Sequence, residues 1–338
     1  MTHVPNGLLL VDKAEDWTSH DAVAKARRSL GTRKVGHAGT LDPMATGLLV
    51  LGVGPSTRLL THLVGLDKTY TATIRLGVST VSDDREGTVL FVADPAKIEA
   101  LAARPDQLAA AVAALTGPIE QSPSAVSAIK VDGRRAYDRV RAGEQVELKK
   151  RPVTVHSFEI EPLRLASLAG LSGGNVPVDV IDVDATVVCS SGTYVRALAR
   201  DLGEALGVGG HLTALRRTKV GPFDVADAVS TEQLKGAEVT PAQLLQPAVV
   251  ASQLFPVLQL DDAQAIDVGH GKRPSLRDDQ RLSDGQVDAP LVAAIAPGGE
   301  LIGLVEVRNG RLRVVTNFPT AHEGGSQVGS DQERDGDS

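Results

Sequence analysis

Apolar and polar residues along this chain fall into blocks whose period changes several times. Gly7 to Lys13 is a short apolar run ending in charge, which predicts a buried strand. Thr18 or Ser19 then caps a predicted helix reaching about Leu30 and stopping at Gly31, with Arg27 and Arg28 in its last turn, where cations suit the helix dipole. A polar loop is expected from Thr32 to Thr46, followed by an apolar run from Gly47 to Val53 and an amphipathic stretch from Ser56 to Leu66. Lys68 to Leu76 alternates cleanly, with Tyr70, Ala72, Ile74 and Leu76 on one face of a strand. Two alanine-rich helices are expected at Pro95 to Ala103 and Pro105 to Leu115, covering a sheet. Val176 to Cys189 reads as a half-exposed strand, and Thr193 to Leu206 as a helix after the turn Ser190, Ser191, Gly192. From Gln253 the period returns to short strands, at Val257 to Leu260, Leu291 to Ala296, Leu301 to Arg308 and Leu312 to Thr316.

The length of 338 residues suggests two domains. With 42% hydrophobic and 23% charged residues the composition is that of a folded globular chain. The longest apolar runs, such as Ala109 to Leu115, fall far short of the roughly 18 residues that cross a bilayer, so no membrane partner is expected. Met1 to Gly7 lacks a basic start and Leu8 to Val11 is too short for a secretion signal, which makes the cytoplasm the expected compartment. The single cysteine, Cys189, excludes an internal disulfide and a cysteine-rich zinc cluster.

A net charge of -7 argues against a nucleic-acid partner only until its distribution is read. From Gln121 to His156 eight basic residues face four acidic ones, a local balance of +4. Pro123 and Pro152 flank this segment and Gly133 and Gly143 interrupt it, a composition suited to a mobile insertion. From Ala321 to Ser338 five acids and one base stand among Gly and Ser, which predicts a disordered acidic tail.

The most informative stretch is Gly36 to Gly47, GHAGTLDPMATG, which sets a histidine and an aspartate among glycines between two apolar elements. Pro43 biases Asp42 toward extended backbone, so its carboxylate is presented by a loop. An Asx turn or a helix cap is the structural alternative for such an aspartate. Aromatic residues make up only 3% of the chain, yet all three tyrosines stand beside positive charge: Tyr70 near Lys68, Tyr137 between Arg135 and Arg139, and Tyr194 before Arg196. Aromatic faces beside cations suit stacking on bases and contact with phosphates. The eight histidines are scattered without metal-ligand spacing, and no glycine-rich phosphate loop of the ATP or dinucleotide type is present. Carboxylate chemistry without metal or cofactor is what is left.

Seven blocks in order, GLLLVDK, TSHDAV, RKVGHAGTLDPMATGLLVLGVG, KTYTATIRLG, SPSAVSAIKVDGRRAYDRVRAG, SSGTYVRALARDLG and HLTALRRTKVGPF, closely resemble the bacterial, in particular actinobacterial, tRNA pseudouridine synthases of the TruB type. The likeness covers roughly residues 7 to 225. One departure is visible: where the family usually reads VDKPxGxTS, this chain has Ala14 and Asp16 in place of the Pro and the Gly.

The resemblance implies isomerisation of uridine 55 in the T loop of tRNA to pseudouridine, by flipping the base out, cleaving its glycosidic bond and rejoining it through C5. It implies an α+β fold, a mixed and mostly antiparallel sheet with flanking helices over residues 1–250, with a basic mobile thumb at about 121–151. A small all-β domain resembling a PUA domain, an RNA-binding barrel, would follow at 251–320, and the tail at 321–338. Asp42 matches the catalytic aspartate, acting as nucleophile or as base toward the sugar, and Arg196 the arginine paired with it. Tyr70 matches the tyrosine that stacks on the uracil and assists removal of the C5 proton. Leu215 would wall the pocket, Tyr194 support it, His37 fill the space left by the flipped base, and Lys130 contact phosphate, with Lys68 a further substrate contact. The partner implied is tRNA, through its T arm and acceptor side, bound by a monomer that needs no cofactor and no metal. Two alternatives stay open: a noncatalytic tRNA-binding protein using the same loop, and a glycosidase pairing Asp42 with Asp83 or Asp84.

Overall fold

A computed structural model describes residues 5–122, 130–131, 134–135, 149–169 and 177–318, with backbone alone at 130–131 and 134–135. Most of the expected thumb, Tyr137, the Lys130 side chain and the acidic tail lie outside the described residues.

The architecture is the expected α+β one. Eleven strands form one mixed sheet, whose main path runs Val229–Ser230, Gly7–Lys13, Thr46–Val53, Gly210–Val220, Lys68–Leu76, Val178–Cys189, Arg151–Ile160 and Gly117–Gln121. Neighbours are antiparallel except at two places: Gly7–Lys13 runs parallel to Val229–Ser230, and Gly210–Val220 runs parallel to Thr46–Val53. Apolar runs explain the middle of the sheet. Leu8, Leu9, Val11, Leu48, Leu49, Val50 and Leu51 are fully buried, because this part of the sheet is covered on both faces.

The helices Ser19–Ser29, Pro95–Ala102, Pro105–Ala114 and Val195–Ala205 stand within a residue or two of their expected bounds. Thr18 is the cap of the first: its hydroxyl accepts from the Asp21 N–H while the Asp21 carboxylate accepts from the Thr18 N–H, a capping box. The expected polar loop from Thr32 to Thr46 is shorter than its composition suggests, since Val35–Ala38 pairs antiparallel with Thr46–Val53. Val35 and Ala38 are buried, and these two contacts outweigh a glycine and a histidine between them.

The C-terminal sheet has four strands, Val257–Gln259, Ala289–Ile295, Leu301–Arg308 and Arg311–Asn317, close to the expected positions, with a helix Asp262–Gly269 between the first two. This sheet is not freestanding: Ala293, Leu304 and Phe318 share one core with Leu8, Leu10, Leu48 and Val50 of the large sheet.

Candidate active site

The loop after Ala38 is pinned on both sides of Asp42. The Ser19 hydroxyl accepts from the Leu41 N–H at 3.0 Å and donates to the Leu41 carbonyl at 3.2 Å. On the other side the Pro43 carbonyl accepts from the Lys13 ammonium at 3.1 Å and from the Asp16 N–H at 3.1 Å. Leu41, Met44 and Ala45 are buried as anchors while the Asp42 side chain stays 39% exposed, so the loop lifts one carboxylate toward solvent from a fixed base. Lys13 is itself fully buried and also donates to the Ala14 and Trp17 carbonyls at 3.0 and 2.6 Å. Burial lowers its ammonium to about 8, against the pull of Asp42 and Asp16.

Arg196 opens the helix Val195–Ala205 and is 7% exposed. Its Nε stands 3.0 Å from Asp42 Oδ2, and its Nη1 donates to the Ser82 carbonyl at 2.7 Å and lies 3.3 Å from Asp84 Oδ2. One planar guanidinium is therefore held between two carboxylates and a carbonyl, a set of contacts that fixes its plane. Asp84 is buried, and its Oδ1 accepts from the Ser82 hydroxyl and the Glu86 N–H. Asp83 is buried too and pairs with Arg200 at 3.1 Å. Both acids of the glycosidase alternative thus face arginines, and neither lies open as a second carboxylate. The backbone of Tyr194 is clasped by Gln121, which accepts from its N–H at 2.7 Å and donates to its carbonyl at 3.0 Å.

The third wall is cross-strand. Tyr70, half-buried on Lys68–Leu76, faces Arg217 in register, and Leu215 faces Ala72. Burial pushes the Tyr70 phenol up, while the positive charge of the nearby Arg217 guanidinium pulls it down. Arg217 is 1% exposed, with Nε donating to the Leu48 carbonyl at 2.7 Å and Nη2 to the Gly39 carbonyl at 3.1 Å. Its backbone lies against Gly47, the second residue of the strand Thr46–Val53, which has φ +97° and where a Cβ would stand 2.2 Å from the Arg217 carbonyl oxygen, so only glycine allows the two strands this approach. Leu215, Met44, Thr46, Arg216, Glu15 and Arg85 line a cleft of about 450 Å³ beside the loop.

Asp42, Arg196, Tyr70, Tyr194 and Leu215 thus gather around one region, joined through Arg217 and Asp84. His37 lies on the added strand, half-buried, with its ring edge-on to His20 at 5.8 Å and its acidity raised by burial, then by His20 and Arg217. Lys68 points inward: its buried ammonium donates to the Val64 and Leu66 carbonyls and is lowered by burial to about 8. Lys13, Gln121 and Arg217 are site-building residues that sequence reasoning missed, with only the placing of Lys13 and Arg217 within recognisable blocks pointing at them, and Asp84 was singled out in a different role, as a second carboxylate beside Asp42. Among the described residues no cluster of His, Cys, Asp or Glu has the grouping of a metal site, and no helix is long and apolar enough to cross a membrane.

Comparison with known proteins agrees over most of the chain. Residues 27–195 match the TruB family pseudouridylate synthase N-terminal domain, 196–257 the tRNA pseudouridylate synthase B C-terminal domain, and 255–319 the tRNA pseudouridine synthase II C-terminal domain. The chain is 54% identical over 320 residues to tRNA pseudouridine synthase B of Leifsonia xyli subsp. xyli, covering 94% of this chain and 98% of that one. It is 49% identical over 313 residues to the protein of the same name in Thermobifida fusca, covering 93% and 98%. Among solved structures, an H/ACA RNP bound to a substrate RNA containing 2'-deoxyuridine has a chain of the same fold, with a TM-score of 0.64 at 22% identity, covering 94% of this chain and 86% of that one.

Proposed function

We propose a function from one premise: this chain belongs to the TruB family of pseudouridylate synthases and makes pseudouridine in tRNA. Its target in this reading is the uridine at position 55 of the T loop. That base is stacked within a folded loop, so it must be flipped out before its sugar is reachable. The N1–C1' bond then breaks, the uracil turns, a C5–C1' bond forms, the proton on C5 leaves and N1 takes one up.

The observation that carries this reading is the 3.0 Å pairing of Asp42, partly exposed on its loop, with the buried Arg196. An anchored carboxylate that solvent and substrate can reach suits attack on, or proton abstraction from, the sugar, and pinning on both sides keeps its approach fixed as water is excluded. Tyr70 offers its ring to the flipped uracil and its hydroxyl near the C5 proton, with Leu215 as the apolar wall. His37, a flat half-buried ring on the strand before Asp42, takes the space the base vacates. Tyr194 supports Arg196 through the backbone that Gln121 holds. Lys130 contacts phosphate from the thumb, and Lys68 serves the substrate indirectly by fixing the turn that leads into the Tyr70 strand. Residues 251–320 act as a PUA-like RNA-binding module on the acceptor side, after a catalytic domain over 1–250 with its thumb at about 121–151. The enzyme works as a cytoplasmic monomer without metal or cofactor.

The test is Asp42→Asn assayed on unmodified tRNA transcript, with pseudouridine mapped by carbodiimide treatment and primer extension. The expected result is no modification at position 55 with tRNA affinity within a few-fold of the parent. Modification at the parent rate overturns the assignment.

A further inference from the structure

Both arginines that line the cleft are held by acids of a single segment, the end of the first strand and the turn after it. Arg216 makes a two-pronged pair with Asp12, at 2.9 and 2.7 Å. Arg85 pairs with Glu15. The two pairs differ in what holds them. Asp12 and Arg216 sit on strands of the large sheet, with two parallel hydrogen bonds between planar groups. Glu15 and Arg85 are side chains of two loops, 46% and 40% exposed, and Arg85 has a further bond from its Nη1 to the Thr213 carbonyl at 3.2 Å.

Those two loops are the ones that flank Asp42. Glu15 precedes Asp16, whose N–H binds the Pro43 carbonyl, and Arg85 follows Asp84, which contacts Arg196. The Glu15–Arg85 pair therefore lines the cleft together with Met44 and Thr46 of the segment that follows Asp42.

We propose that Arg85 is a phosphate ligand for the bound RNA strand and that Glu15 is its stand-in partner in the free protein, a competitor that the incoming phosphate displaces. The proposal rests on the RNA-modifying reading above and deepens it by naming a contact and its regulator. An exposed carboxylate on a surface turn contributes little net attraction to a guanidinium. A backbone phosphate offers the same guanidinium two oxygens in fork geometry and releases counterions as it binds. The exchange keeps Arg85 neutralised in both states and gives the acidic chain a way to weaken nonspecific contacts: any polyanion must first outcompete Glu15. The Asp12–Arg216 pair is too well held to exchange and marks the fixed side of the cleft.

The signs of two substitutions separate this from a structural ion pair. Binding of unmodified tRNA transcript is measured against salt in the Asp42→Asn background, where substrate is not converted. Glu15→Gln removes the competitor and tightens binding about twofold to fivefold at low salt. Arg85→Ala weakens binding about fivefold at low salt and lowers the magnitude of the log-log salt slope by about one. The double variant behaves as Arg85→Ala. Weaker binding in both single variants, or an unchanged salt slope in Arg85→Ala, overturns the proposal. If the parent chain itself fails to bind or modify tRNA, the functional reading falls instead, and the two failures are told apart by that one control.

Discussion

Arg217 stands directly opposite Tyr70, in register on neighbouring antiparallel strands, with Gly47 beside it on the strand to its other side. Its guanidinium holds the carbonyls of Gly39 and Leu48, which bracket the loop that carries Asp42, and its charge pulls against the burial that raises the Tyr70 phenol. The sheet thereby gives the carboxylate loop and the phenol a common support, although 28 residues separate Asp42 from Tyr70 in the sequence.

That shared support predicts coupling. Arg217→Lys keeps a charge but not a fork that reaches two carbonyls opposite the phenol, so it slows single-turnover conversion on the order of 100-fold, the scale of a misplaced catalytic group. In the Tyr70→Phe background the same substitution costs less, by an interaction of about 0.5 to 3 kcal/mol in a double-mutant cycle. Equal costs in both backgrounds would mean that the guanidinium serves the loop alone. A parallel urea titration of each variant separates loss of fold from loss of rate.

Arg196 is expected to be similarly intolerant. Lysine cannot contact Asp42, the Ser82 carbonyl and Asp84 together, so Arg196→Lys lowers the single-turnover rate by about 100-fold or more while tRNA affinity changes little. Asp84→Asn keeps the size of the side chain and removes one of the two charges facing the buried guanidinium. It loses about tenfold in rate, within the range of a charge-assisted hydrogen bond. Parent-like rates in Asp84→Asn would leave Asp42 and the Ser82 carbonyl to fix the arginine's position.

Much of this was legible from the chain, for reasons that differ element by element. The strand Gly7–Lys13 and the strand Lys68–Leu76 stand at the bounds their patterns predict, because an unbroken apolar run and a strict alternation each have one stable use. The strand Gly210–Val220 was not placed, since His211, Arg216, Arg217 and Lys219 make its sequence read as surface. Arg217 is nevertheless buried, and its charge is tolerated because its donors are spent on carbonyls that the fold brings together from distant segments. Asp84 escaped for the same reason: a carboxylate seen as one half of a sugar-cleaving pair turns out to be a partner of Arg196, which only the packing of the loop against the helix reveals. The helix Asp262–Gly269 was hidden among short strands because it is short and Val268 is the one apolar side chain it buries, which leaves no helical stripe to read.

The turn that departs from the family pattern predicts a stability effect. Asp16 takes φ +64°, a left-handed conformation at the position where the family pattern has Gly, and the turn is kept because its N–H reaches the Pro43 carbonyl. Asp16→Gly removes the side-chain clash and is expected to match or exceed the parent in stability. Asp16→Ala, which has neither the freedom of Gly nor a polar side chain to bond locally, falls below the Gly variant by about 1 kcal/mol. The measurement is the urea midpoint of the three proteins at constant slope. An alanine variant as stable as the glycine one would show that the turn carries no strain.

The two buried lysines give the last prediction, and its sign follows from the direction of their shifts. Lys13 and Lys68 each bind a proton less tightly in the fold, about 8, than the ordinary 10.5 of an unfolded chain. Below pH 8 both are charged in both states and the burial cost is carried in full. Between pH 8 and 10.5 the folded chain has released protons that the unfolded chain still holds, so the unfolded state binds more protons and stability rises with pH. From pH 7.5 to 9 the gain is about 1 kcal/mol per lysine. Cys189 works the other way: burial raises its thiol to about 11 from 9.0, so its contribution falls as pH climbs above 9. The test window therefore ends at pH 9, and urea unfolding at pH 7.5 and 9 is compared between the parent and Lys68→Met. The parent should gain stability over that interval and the variant should gain about half as much, because Lys13 alone still titrates. A parent whose stability is flat or declining across the window would mean that the buried ammonium groups keep their protons, and that the carbonyls around them compensate burial more completely than the lowered values imply.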